Sequence, residues 1–150
     1  MRFSLFVGHG QIAVFDPALN DPFNDWTDQH FDQGFSWRHR SVSFRTLADG
    51  GVIDVEIELA GAFVATADVV RSICVPFDAP AAIEIATTSD ARRIETPSGL
   101  HELYFETGAT TDRPWCKLTL IPSNHPTARI LVADSALRPS YPLLMDASPA

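Results

Sequence analysis

A chain of 150 residues that is 45% hydrophobic, 10% aromatic and 20% charged has the size and composition of one folded domain with a real core, which argues against a disordered or fibrous protein. Its formal net charge of −8 and pI near 4.9 argue against nucleic acid as a direct ligand, because gripping phosphates needs a basic face. The same acidity favours solubility and attraction to cationic partners.

In chain order, the opening "MRFSLFVGHG" has one arginine and few apolar residues, and runs into Gly8-His9-Gly10 without a small-residue cleavage site. No apolar run approaches the roughly 20 residues that span a bilayer. The expectation is a cytoplasmic protein with no membrane segment. Strands are predicted at 3–7 and 11–15, parted by the glycines. The stretch "NDWTDQHFDQGF" (24–35) departs from this pattern. Thr27 suits an N-cap, Asp28 falls in the first turn where the dipole favours negative charge, and Gly34 is a natural stop. A short helix is predicted at 27–33, with Trp26, Phe31 and Phe35 along one side as core rings where it plugs one end of a sandwich.

Beyond it, "SVSFRTL" (41–47) and "VIDVEIELA" (52–60) alternate with period 2, and Asp49-Gly50 lies between them. That combination predicts a hairpin. Further strands are predicted at 69–76, 82–87, 91–95, 101–107, 115–121 and 128–134, separated at 76–80, 96–99 and 123–126 by turn residues. The fold expected is all-β, an antiparallel two-sheet β-sandwich with one short helix, forming a domain over 1–137. The tail 138–150, "RPSYPLLMDASPA", holds three of the 11 prolines and reads as an extended strap or a frayed end. Cys74 and Cys116 lie in strand-like surroundings without a CxxC pattern, and read as reduced, buried thiols.

The charge is unevenly placed. Residues 3–37 hold five acids, Asp16, Asp21, Asp25, Asp28 and Asp32, and no lysine or arginine. The rest of the chain has fourteen acids against eleven bases. Asp54, Glu56 and Glu58 add a row on one face of a strand, with Arg45 placed to pair with one of them across the hairpin. Each acid alone reads as solvated surface. As a set with Trp26 they make an acidic patch flanked by aromatics, the kind of surface that draws a basic partner.

Chemistry of the chain's own is not expected. The five histidines form no His-x-His pattern with a carboxylate, and His30 among Asp25, Asp28 and Asp32 reads as a solvated side chain rather than a metal ligand. No nucleophile elbow, P-loop, zinc-protease or dinucleotide motif occurs. No catalytic residue, metal or cofactor is therefore predicted. The competing reading is a ligand-binding or adhesive β-sandwich, carbohydrate-binding for example, with Trp26, Trp37 and Trp115 stacking on sugars.

The order of short motifs carries a further indication. Val14-Phe15, then Asp25-Trp26-Thr27-Asp28 with Gly34 six residues on, the segment 42–44, Val75-Pro76-Phe77, and Arg92-Arg93 leading through "IETPSG" to Gly99 resemble the competence protein J family, the DNA-entry nuclease inhibitors. The resemblance spans roughly residues 10 to 135. It implies a protein that binds and silences a basic, metal-dependent DNA nuclease by filling or covering its cleft. The partner-binding residues expected are Asp25, Trp26, Asp28, Asp32, Asp54, Glu56 and Glu58.

Overall fold

The computed structural model describes residues 1–110 and 112–150. Its strands are β1 (Arg2–Val7), β2 (Gln11–Phe15), β3 (Phe35–Arg38), β4 (Ser41–Arg45), β5 (Gly51–Leu59), β6 (Arg71–Ala79), β7 (Ala82–Ala86), β8 (Ala91–Glu95), β9 (Gly99–Ala109), β10 (Pro114–Pro122) and β11 (Arg129–Val132), with one helix, α1 (Asp28–Gln33). They form a six-stranded sheet, β1-β5-β10-β9-β6-β11, and a five-stranded sheet, β3-β4-β2-β7-β8. The all-β sandwich with one helix is the fold expected. Neighbouring strands are antiparallel except β5 and β10, which run parallel with Leu118 beside Ile57.

Period-2 patterning builds the core. Phe3, Leu5 and Val7 of β1 and Ile53, Val55 and Ile57 of β5 turn inward while the residues between them lie on the outer face, and Leu118 and Leu120 of β10 join them in the core. They meet Ile12, Val14, Val42, Ile83 and Ile85 of the smaller sheet. Phe44 and Phe105 stack across the two sheets with ring centroids 4.5 Å apart and planes nearly parallel.

The hairpin expected between 41–47 and 52–60 does not form. β4 pairs with β2 and β3 in the smaller sheet, whereas β5 pairs with β1 and β10 in the larger one. Strands β1–β2 and β4–β5 instead make one antiparallel ribbon that bends from sheet to sheet. Its pairing ends at Val7 beside Gly51 and resumes at Gln11 beside Arg45. Gly10 donates to the Asp49 carbonyl at 3.0 Å and accepts from Thr46 N–H at 2.9 Å, closing the corner. Gly10 at φ +64° and Gly51 at φ +105° supply the bend, so Asp49-Gly50 marks a corner rather than a hairpin tip.

Two other boundaries moved. Strand β3 was not predicted, because "FSWR" is too short to show a period. Pro76, expected where the strand 69–76 gives way to a turn, lies inside β6. It is tolerated because β11 pairs with β6 only at residues 72–74, so Pro76 has no ladder partner on that side to lose.

The outer face of the smaller sheet is covered. Ser41 and Ser43 of β4 are fully buried beneath the segment 16–27 and the C-terminal tail. Asn24 donates to the carbonyls of Ser36 (2.8 Å) and Ser41 (3.0 Å), and Ser41 Oγ donates to the Pro22 carbonyl. The tail is an ordered strap. Asp25 N–H bonds the Ser148 carbonyl at 2.8 Å, Ala147 N–H the Trp37 carbonyl at 2.9 Å, and Ala150 N–H the Phe23 carbonyl at 2.9 Å, while Leu137, Leu143 and Met145 pack on the core.

Candidate functional site: the acidic helix and the acidic strand row

The helix α1 is only six residues long, too short to persist without tertiary support. Its ends are secured from the sequence. Thr27 Oγ1 accepts from His30 N–H at 3.3 Å, and His30 Nδ1 accepts from Thr27 N–H at 3.1 Å, a capping box with histidine in the place usual for Glu or Gln. Gly34 closes the helix at φ +86°. A Cβ there would come within 2.9 Å of Leu137 and 3.1 Å of Ile73, so both conformation and space require glycine.

The face that α1 buries is polar. His30 and Gln33 point inward. Gln33 donates to the carbonyls of Phe35 and Leu144, both at 3.0 Å, and accepts from Leu144 N–H at 2.9 Å, tying helix to strap. The three rings expected along one side therefore separate. Phe35 is fully buried, but Phe31 is 50% exposed with the Arg45 guanidinium 3.5 Å above its ring, and Trp26 is half-buried. Trp26 Nε1 donates to Gln11 Oε1 at 3.1 Å, fastening the helix entrance to β2. His30, expected at the surface, is 2% exposed.

The acids of this region differ in their freedom. Asp25 is committed to the strap through its N–H, and its carboxylate accepts from Ser148 N–H at 2.8 Å. Asp16 pairs with Arg40 at 3.0 Å. Asp28 is exposed and Asp32 half-exposed, one turn apart on the outward face, and among the described residues neither has a base in ion-pair contact.

Arg45 does not pair with the strand row, since its strand belongs to the other sheet. It donates to the carbonyls of Phe31 (3.2 Å) and Ala136 (3.1 Å). Burial, and then repulsion by Arg71, lower its pKa against the opposing pull of Asp134, Asp32 and Asp49.

The row on β5 does share one exposed face, as the alternation predicts, but the register places a base beside each acid. Arg113 Nη1 lies 2.9 Å from Asp54, Arg2 Nη2 3.3 Å from Glu56, and Lys117 Nζ 2.8 Å from Glu58. The hydrogen bond from Lys117 holds the Glu58 carboxyl below its usual range. Asp54 and Glu56 border an open groove of about 520 Å³, together with Arg2, Trp115 and Lys117. Exposed pairs of this kind contribute little stability, but they cancel the field of the row.

The indoles are largely committed to the fold. Trp37 Nε1 donates to the Pro76 carbonyl at 2.7 Å, and the Trp115 ring lies against Gly108, where a Cβ would fall 2.7 Å from it. Both cysteines are free and buried, and burial pushes each thiol up to about 12, far from a reactive thiolate. Among the described residues no group of three or more His, Cys, Asp or Glu is arranged to hold a metal ion, and no helix is long and apolar enough to cross a membrane.

Sequence reasoning missed Gln33, His30 and Asp146 as parts of one assembly. The Thr-x-x-His spacing is a recognisable variant of the capping box, but nothing local marks the tail as its neighbour.

The family model described as Competence protein J (ComJ) matches residues 4–121. Among solved structures, ComJ from Bacillus subtilis, described as an inhibitor of the DNA degrading activity of NucA, superposes with a TM-score of 0.74 at 17% identity, over 82% of this chain and 96% of that one. A structure described as Crocagin biosynthetic gene J superposes with a TM-score of 0.61, also at 17% identity and with the same coverage. At that identity the likeness shows a shared fold. No curated protein sequence matches the chain.

Proposed function

We propose, from the premise that this chain belongs to the competence protein J family, that it is a non-catalytic inhibitor which binds a basic DNA nuclease and denies it its substrate. The observation that carries this reading is the contrast in charge compensation. Asp28 and Asp32 project from a rigidly seated helix without a paired base, whereas Asp54, Glu56 and Glu58 are each neutralised by Arg113, Arg2 or Lys117. A nuclease cleft built for phosphate is cationic, and uncompensated carboxylates on a firm support accelerate encounter with it and fix its orientation.

In this reading Asp28 and Asp32 are contact residues. Asp25 and Trp26 act by holding α1 against the strap and β2, and the β5 row is a secondary, field-neutral surface. The buried free thiols suit a reducing compartment, and we place the protein in the cytoplasm.

The test is a DNA-digestion assay with the metal-dependent nuclease of the protein's own cell. Adding the protein in equimolar amount is expected to stop digestion, and raising the salt to restore it. Undiminished digestion in a large excess of the protein at low salt would sink the proposal.

A further inference from the structure

We propose that the open end of the sandwich beside His101 is an anchor site for one aromatic side chain of a protein partner, a tyrosine or tryptophan, whose O–H or N–H donates to His101 Nε2. The inference goes beyond the inhibitor reading and does not depend on the acidic helix. His101 pairs with Phe77, farther along β6 than Ile73, against which Gly34 closes α1, so the site lies toward the other end of the sheet.

The first observation is a small apolar cavity. Leu59, Ala60, Gly61, Pro97, Leu120 and Pro122 line it together with His101, and it has a volume of about 240 Å³ and a mouth open to solvent. No charged side chain borders it, and Ala60 N–H bonds the Leu120 carbonyl at 3.1 Å, so this part of the wall satisfies its backbone internally. An apolar cavity of about 150 Å³ takes benzene, and drug-sized ligands fill about 300 Å³ or more. The volume here suits a single ring system. Leu59, 49% exposed, continues the apolar surface past the mouth.

The second is an acceptor without a donor. His101 contributes the one polar side chain of the wall and is itself 2% exposed. Its Nδ1 lies 2.7 Å from the Gly99 carbonyl. A carbonyl only accepts, so the ring proton is on Nδ1, and Nε2 of the neutral ring is a bare acceptor. Among the described residues Nε2 has no hydrogen-bond partner, and unlike His30 Nε2 it is not sealed inside the protein, because its ring borders the open cavity. A water there meets this one acceptor in an apolar wall, short of the roughly two to four polar partners that hold a water in place. A ring that brings its own donor displaces such a water favourably.

The third is where the wall comes from. Pro97 and Gly99 belong to the segment 94–99, "IETPSG", which carries part of the family resemblance and takes no part in the acidic surface. Pro97 walls the cavity, and Gly99, at φ +128°, supplies the carbonyl that fixes the tautomer of His101.

This chemistry narrows the occupant. A charged group loses its water with no counter-charge in the wall, and a metal ion finds one nitrogen and no second ligand. An aliphatic or phenyl group leaves Nε2 unmet. A free ring makes too few contacts to hold so open a site, whereas an aromatic side chain is kept there by the interface around it.

The experiment uses the full chain, with N-acetyl-tyrosinamide, N-acetyl-phenylalaninamide and p-cresol as probes and binding followed by amide and imidazole chemical shifts. The tyrosine probe is expected to shift His101 and residues 59–61 and 120. It is also expected to bind about threefold to tenfold more tightly than the phenylalanine probe, which differs from it by one O–H. At Gly61 a Cβ meets nothing within 4 Å. Gly61→Leu is therefore expected to fill the mouth, abolish those shifts and leave the melting temperature in place. Equal binding of the tyrosine and phenylalanine probes, shifts gathered elsewhere, or a Gly61→Leu variant that binds as the parent does would overturn the proposal. If the bare ring, p-cresol, binds more tightly than the tyrosine probe, the cavity is a site for a free small ligand and the assignment to a partner's side chain falls.

Discussion

The acidic row of β5 and the acidic helix α1 look alike as strings of residues, yet they end in different electrostatic states. In the row, cross-strand register brings a base from β1, or from β10 and the loop before it, beside every carboxylate. Around α1 the strap and the segment 16–27 bond through backbone groups, amides, hydroxyls and the Asp25 carboxylate, and Arg45, which lies over the Phe31 ring, donates to backbone carbonyls rather than to Asp28 or Asp32. A count of acids along a chain therefore says little about the field they create. What matters is whether the fold delivers a partner to each.

Removing the seat of α1 breaks the comparison most severely. Phe35 is fully buried under the helix exit, and Phe35→Ala is expected to cost about 3–5 kcal/mol. Thermal unfolding should show a melting temperature lowered by many degrees. A shift of only a degree or two would mean that α1 and the strap hold themselves together without the core beneath them.

Charge exchange sharpens the comparison without unfolding either region. Asp28→Lys with Asp32→Lys should leave stability within about 0.5 kcal/mol of the parent, since Asp28 is exposed, Asp32 is half-exposed and neither is in an ion pair among the described residues. The same pair should weaken inhibition of the nuclease on the order of tenfold at low salt and flatten its salt dependence. Asp54→Asn with Glu56→Gln is expected to leave inhibition nearly unchanged. If instead the β5 variant loses inhibition and the helix variant keeps it, the contact surface is the row.

Much of this was legible in the sequence, for identifiable reasons. Period-2 runs such as residues 52–59 located the core strands, because burial on one face leaves a local signature. Thr27 and Gly34 bounded α1 because caps are made by the residues themselves. What could not be read is what depends on distant partners. Asp49-Gly50 has the chemistry of a hairpin tip, but the choice between tip and corner is made by the pairing of β1 with β5 and of β2 with β4. The commitment of Asp25 is likewise set by Ser148, more than a hundred residues away. His30 gives no local sign of burial, because the strap that covers it has no period.

The smallest effect, and the most direct probe of compensation in the row, is the pH dependence of the Glu58–Lys117 pair. The Lys117 hydrogen bond lowers the Glu58 pKa in the folded state. Folding therefore favours the ionised carboxylate, and the pair's contribution is fully present above the ordinary Glu value of about 4.3. It is lost as pH falls through the lowered folded value, where the carboxyl takes up its proton and the attraction ends. Lys117→Gln should accordingly lower the melting temperature slightly near neutral pH, and the gap to the parent should close as the solution is taken below that range. Because Glu58 is solvated, added salt should close the same gap at neutral pH. A gap that stays constant from neutral to strongly acid solution would show that Lys117 supports the sheet through its aliphatic stem, and that the row is neutral by register alone and not by pairing.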